Sequence, residues 1–176
     1  IPFVSVAQND ELQSVTCGSP CKTFNFSGLP ISYLISRDKN ILEQTRKTLE
    51  LQENSYPNPI AIEALISAYT KGNEWMGELK DYLYQNFIFL RDFCGEHLPA
   101  IKVISLEATY LVWLDCRSFG KTSDELSKIL LMEGKVWLNS GTMYGKNGEG
   151  FLRINIGCPR QLLTEGLERL KKSLKV

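Results

Sequence analysis

Apolar residues recur at spacings of three and four from Asn73 to about His97, where Trp75, Met76, Leu79, Tyr82, Leu83, Phe87, Leu90, Phe93 and Cys94 form one stripe. That period predicts an amphipathic helix. At 1.5 Å per residue it would measure roughly 35 Å, long enough to bridge two domains. Upstream, Ser14 to Gly18 and Ile31 to Ile35 read as short strands, with Tyr33-Leu34-Ile35 expected to be buried. The turn-rich segment Ser19 to Gly28 lies between them. Ser36-Arg37-Asp38 opens a helix that runs to about Leu51 and carries Ile41, Leu42, Thr45 and Leu49 on one face. Two prolines stiffen the loop Asn54 to Pro59. A helix from Ile60 to Tyr69 then stops near Lys71-Gly72. Beyond Pro99 the pattern changes: Val103-Ile104, Tyr110 to Leu114, Val136-Trp137-Leu138 and Phe151 to Ile156 read as strands, and Thr122 to Glu133 and Pro159 to Leu174 as helices. Strands and helices intermixed in this way predict an α+β terminal domain.

The 176 residues carry 20 Lys+Arg against 20 Asp+Glu, and no basic block interrupts that balance. We therefore expect neither a nucleic-acid partner nor a membrane surface. Apolar runs such as Tyr110 to Leu114 fall far short of the roughly 20 residues that span a bilayer. Five cysteines at scattered spacings favour a reducing compartment, and the expected location is cytoplasmic. The chain opens Ile1-Pro2-Phe3, so we expect a piece of a longer protein.

Two residues stand out chemically. Lys22 follows a predicted strand among small and apolar neighbours, a setting in which desolvation frees an amine for Schiff-base chemistry; a solvated surface lysine is the other reading. Arg153 lies in Gly150-Phe151-Leu152-Arg153-Ile154-Asn155-Ile156-Gly157. There strand alternation puts Phe151, Arg153 and Asn155 opposite Leu152, Ile154 and Ile156. A guanidinium on a rigid strand can clamp a carboxylate through two parallel hydrogen bonds, and a structural ion pair is the alternative. The glycine-rich run from Gly141 to Gly150 lacks the spacing of a phosphate-binding loop. It reads instead as a flexible connection, mobile over a site. His97, the single histidine, and the cysteines show no metal-ligand spacing, and no metal is expected.

The segments Ser19-Pro20-Cys21-Lys22-Thr23-Phe24-Asn25-Phe26-Ser27-Gly28-Leu29 and Gly150 to Arg160, with Glu107 to Asp115 and Gly141 to Gly145 between them, resemble fold-type I pyridoxal-phosphate enzymes in the same order. The likeness is greatest to the MalY/PatB-like cystathionine β-lyases, a C–S lyase branch of the class I/II aminotransferases. It covers nearly the whole chain and implies an α/β architecture, the C-terminal part of a PLP-transferase fold. Residues 1–72 would be the remainder of the large cofactor domain, 73–98 the interdomain helix and 99–176 the small C-terminal α+β domain.

The resemblance further implies that pyridoxal 5'-phosphate is the cofactor, that Lys22 forms its Schiff base and that Ser19 helps hold its phosphate. Tyr56 and Asn58 would approach the neighbouring subunit's cofactor in a homodimer, and Arg153 would bind the α-carboxylate of an amino-acid substrate. Cys21 departs from the family, in which serine often precedes the lysine. The family's glycine-rich phosphate loop, the aromatic that stacks on the pyridine and the polar residues around that ring all precede this segment, so a missing N-terminal half of the same enzyme is expected as a partner. The implied reaction is β-elimination on sulfur amino acids such as cystathionine, giving pyruvate, ammonia and a thiol. Transamination uses the same residues, and a non-catalytic fragment serving dimerisation or partner binding is the alternative of another class.

Overall fold

Capping side chains set the first elements of the computed structural model, which describes residues 5–9, 12–53 and 56–174. The chain divides into two compact units, Ile1–Glu78 and Leu79–Val176. In the first, β1 (Thr16–Gly18) pairs antiparallel with β2 (Tyr33–Ile35), Gly18 opposite Tyr33. A Cβ on Gly18 would lie 2.3 Å from the Tyr33 ring, so a larger residue there would push that ring aside. Asp38 accepts hydrogen bonds from the backbone N–H groups of Asn40 (2.8 Å) and Ile41 (3.2 Å) and starts α1 (Lys39–Leu51). Asn58 caps α2 (Pro59–Lys71), whose first residue is a proline with no N–H to satisfy, and Gly72 ends it. Asn54 and Ser55 of the proline loop, like Ile1-Pro2-Phe3, lie outside the described residues.

Burial in this unit is thin. No residue of α1 is buried, and α2 buries Ala61 and Ala68. The expectation that Tyr33-Leu34-Ile35 is buried fails: Ile35 is 53% exposed and its two neighbours are half-buried. The reason is that, among the described residues, β2 has β1 as its single sheet neighbour, and a two-stranded ribbon covers little of its own surface.

The long helix α3 (Asn73–His97) runs through the boundary between the units. Its C-terminal half buries Phe87, Leu90, Phe93 and Cys94, whereas Trp75 and Tyr82 are exposed. The second unit adds β3 (Lys102–Val103), β4 (Leu111–Asp115), α4 (Ser123–Ile129), β5 (Asn139–Ser140), β6 (Phe151–Asn155) and α5 (Arg160–Leu174). Its antiparallel sheet has the order β3-β4-β6-β5. Val112 and Leu114 on β4, Leu152 and Ile154 on β6, and Ile156 just beyond point to one face. They share a core with Leu126 of α4 and Leu163, Leu167 and Leu170 of α5. Full burial of such side chains contributes on the order of 1.5–3 kcal/mol each. Asn86 of α3 is fully buried there and satisfied: its amide donates to the carbonyls of Ile156 (2.9 Å) and Cys158 (3.0 Å), and its oxygen accepts from Arg160 Nε (2.8 Å).

Three local expectations need correction. Thr122 and Glu125 form a reciprocal capping box, but the α-helix stops at Ile129 and continues as a wider π-turn, Leu130–Gly134. Lys135 then takes a left-handed φ of 55°. This exit displaces the next strand, so Val136-Trp137-Leu138 is not a strand and β5 begins at Asn139. The glycine-rich run is not a slack connection either. It forms two 3₁₀ turns, Gly141–Tyr144 and Lys146–Gly148, whose backbones touch: a Cβ on Gly141 would lie 2.0 Å from the Gly148 carbonyl oxygen. Ser123 Oγ accepts from the Gly150 N–H (2.7 Å), and Glu149 accepts from the N–H groups of Ser123 (2.8 Å) and Gly150 (3.0 Å).

Candidate active site

The first unit presents Lys22 on a turn whose flanks are tied down. Ser19 Oγ donates to the Ile31 carbonyl (2.7 Å) and accepts from the Cys21 N–H (3.3 Å). The Cys21 thiol points at the carbonyls of Leu29 (3.4 Å) and Ile31 (3.5 Å). Pro20 and Cys21 are buried as a result, and Lys22 is exposed at the tip. Two residues on, Phe24 stacks on Trp75 at 5.9 Å and meets Tyr69 edge-on at 6.0 Å. The hydroxyls of Tyr69 and Tyr33 share a hydrogen bond of 2.9 Å, which together with desolvation pushes the Tyr69 phenol up to about 12. Asn25 closes the turn with a left-handed φ of 56°.

These residues meet a pyridoxal group in part. An amine on a fastened turn can reach an aldehyde, but Lys22 is exposed, so the desolvation expected from its neighbours in the sequence is not supplied by this unit. Ser19, by contrast, spends its proton on Ile31, so a phosphate would have to draw that hydroxyl away. Asn58 uses its side-chain oxygen to cap Ile60 (2.9 Å), leaving its amide hydrogens uncommitted among the described residues, and Tyr56 is 87% exposed.

The second unit holds Arg153 at the middle of the inner strand β6, opposite Trp113 on β4 and Asn139 on β5. Leu152 and Ile154 turn into the core, so the arginine projects from the other face. Its Cζ lies over the Tyr144 ring, 4.3 Å from the centroid. Trp113 meets the same ring edge-on at 5.4 Å, and Asn139 Nδ2 donates to the Tyr144 hydroxyl (2.8 Å). A cleft of about 390 Å³ opens beside Arg153, walled by residues 104–109, Leu111, Val112 and Trp113. None of the ion pairs among the described residues involves Arg153. Arg117, in contrast, grips Asp115 with two hydrogen bonds (2.9 and 2.7 Å) and holds its carboxyl down at about 2. A structural ion pair therefore accounts for Arg117 and not for Arg153.

Sequence reasoning missed Tyr144, Trp113 and Asn139 as companions of Arg153. Period-2 alternation places Trp113 on one face of β4, but only the strand register sets it beside residue 153. No local pattern marks Tyr144.

The aminotransferase class I and II family model matches residues 2–170. Cystathionine beta-lyase PatB of Bacillus subtilis is 39% identical over 175 residues, 98% of this chain and 45% of that protein. Protein MalY of Escherichia coli is 32% identical over 176 residues, 99% of this chain and 44% of that protein. Among solved structures, cystalysin from Treponema denticola, which contains a pyridoxal 5'-phosphate cofactor, aligns with a TM-score of 0.87 at 28% identity, over 92% of this chain and 41% of that one. The chain belongs to the class I and II aminotransferase family. It spans less than half the length of these relatives.

Proposed function

We propose that the protein containing this chain is a pyridoxal-phosphate-dependent enzyme that cleaves the C–S bond of sulfur amino acids such as cystathionine by β-elimination. The observation that carries it is Arg153: a guanidinium held on a strand, beside a cleft, with no carboxylate of its own. The relatives named as cystathionine beta-lyases support the choice of reaction, and the cofactor named in cystalysin supports the choice of cofactor. When bound, pyridoxal phosphate supplies an electron sink for charge that develops at the substrate Cα.

Lys22 would hold the cofactor through Nζ, and its amine would move the proton at the substrate Cα. Arg153 binds the α-carboxylate through two parallel hydrogen bonds and so fixes the orientation of the bonds at Cα. Ser19 would help hold the phosphate, giving up its bond to Ile31 to do so. Tyr56 and Asn58 would help hold the cofactor of a second copy in a homodimer. The large cofactor domain includes residues 1–72, the small domain is 99–176, and the N-terminal half of the same enzyme supplies the remaining contacts in the cytoplasm.

The family name also covers aminotransferases, which would use these same groups. Full-length protein incubated with cystathionine and no keto acid decides between them. Release of pyruvate and a free thiol is the expected result; turnover that waits for a keto-acid acceptor would replace the lyase reading with transamination.

A further inference from the structure

Arg153 has three close companions on its open face, and their arrangement is circular. Its register partners on the two adjacent strands, Trp113 and Asn139, are the residues that brace Tyr144, one with a ring edge and the other with a hydrogen bond. Tyr144 in turn lies against the guanidinium. The ring thus fills the space into which an unpaired arginine would otherwise swing. A guanidinium covered on its face keeps its in-plane N–H groups free, and those are the donors that a carboxylate needs. Tyr144 comes from the 3₁₀ turn Gly141–Tyr144, whose backbone is pinned by the Gly141–Gly148 contact, so the brace is itself anchored.

We infer that Tyr144 is a positioning residue, whose ring face holds the Arg153 guanidinium in the orientation that selects a carboxylate over an uncharged amide. This deepens the proposed function and rests on Arg153 being the carboxylate site. Cation–π contacts of this kind correspond to roughly a tenfold effect when partly desolvated.

The test uses the full-length, cofactor-bound protein and calorimetric titration with L-alanine, which has no leaving group at Cβ, and with L-alaninamide, which has no carboxylate. The readout is the ratio of the two affinities. Arg153→Ala serves as the reference and should cut the preference for alanine by about 100-fold. Tyr144→Leu should cut it by about tenfold through weaker alanine binding alone. Tyr144→Phe, which keeps the ring, should stay within about twofold of the parent. Tyr144 is 46% exposed, so these changes leave the core intact; if the Leu variant unfolds, Tyr144→Ala, which also removes the ring, takes its place with the same expected loss. A Leu variant with the parent's ratio, or a Phe variant as impaired as the Leu variant, overturns the inference while the Arg153 reading stands. An unchanged ratio in Arg153→Ala overturns both.

Discussion

Lys22 and Arg153 are the two residues to which chemistry is assigned, and they are supported in opposite ways. Arg153 sits on an inner strand of a four-stranded sheet, above a core drawn from α3, α4, α5 and the strands β4 and β6. Everything that orients it lies within the same unit. Lys22 stands on a turn backed by a two-stranded ribbon, beside helices that bury almost nothing. Ile60, Ile66 and Tyr69 of α2 remain 46–66% exposed. A unit with so little internal burial depends on cover that it does not itself provide. The difference teaches that the surroundings of Arg153 are complete within its own unit, whereas those of Lys22 depend on cover that its unit does not supply.

That contrast can be broken or sharpened by substitution. Lys22→Ala in the full-length protein should lower turnover by about 10³-fold or more, because no other amine takes over the proton transfer. Retention within tenfold, measured by thiol release, would remove Lys22 from the reaction. Arg153→Ala should lower kcat/KM by about 100-fold, in line with roughly 1.5–3 kcal/mol for a charged hydrogen bond, and Arg153→Lys should recover little because it cannot form the bidentate pair.

The remaining tests concern the scaffold of the second unit. Gly141→Ala places a methyl against two backbone carbonyls, those of Gly148 and Phe151, and should cost about 2–3 kcal/mol in chemical denaturation. A loss under 0.5 kcal/mol would mean that the loop has slack after all, roughly the scatter of neutral surface changes. The smallest effect belongs to Asp115→Asn. Arg117 lowers the Asp115 carboxyl from 3.8 to about 2, so the ionised form stabilises the fold above pH ~4 and that contribution is lost as pH falls through 2. With Arg117 itself 65% exposed, solvent screening reduces the effect to about 1 kcal/mol at pH 7. Thermal unfolding of both forms should therefore differ at pH 7 and converge near pH 2.

How much was legible in the sequence follows from how local each signal is. The alternation of β6 needs only its own residues, and it correctly separated Leu152 and Ile154 from Arg153. Asp38, Asn58-Pro59 and Gly72 carry their capping chemistry in place, so the helix limits in the first unit could be read to within a residue or two. The π-turn at Leu130–Gly134 carries no such mark, since its closing bond, from the Lys135 N–H to the Leu130 carbonyl, requires no particular side chain. The glycine-rich run looked slack because its stiffness comes from Gly141 meeting Gly148 and from Ser123 and Glu149, contacts set by tertiary folding. Tyr144 escaped for the same reason: its partner is nine residues downstream, reached through strand pairing that no single segment encodes.

Asn86 carries a consequence for the cleft. Its side chain engages the chain immediately past β6 and the first residue of α5 at once. The strand bearing Arg153 therefore cannot slide lengthwise unless three bonds made by one amide break together. A single buried side chain on a neighbouring helix acts as a stop, fixing how far along the sheet the guanidinium is delivered.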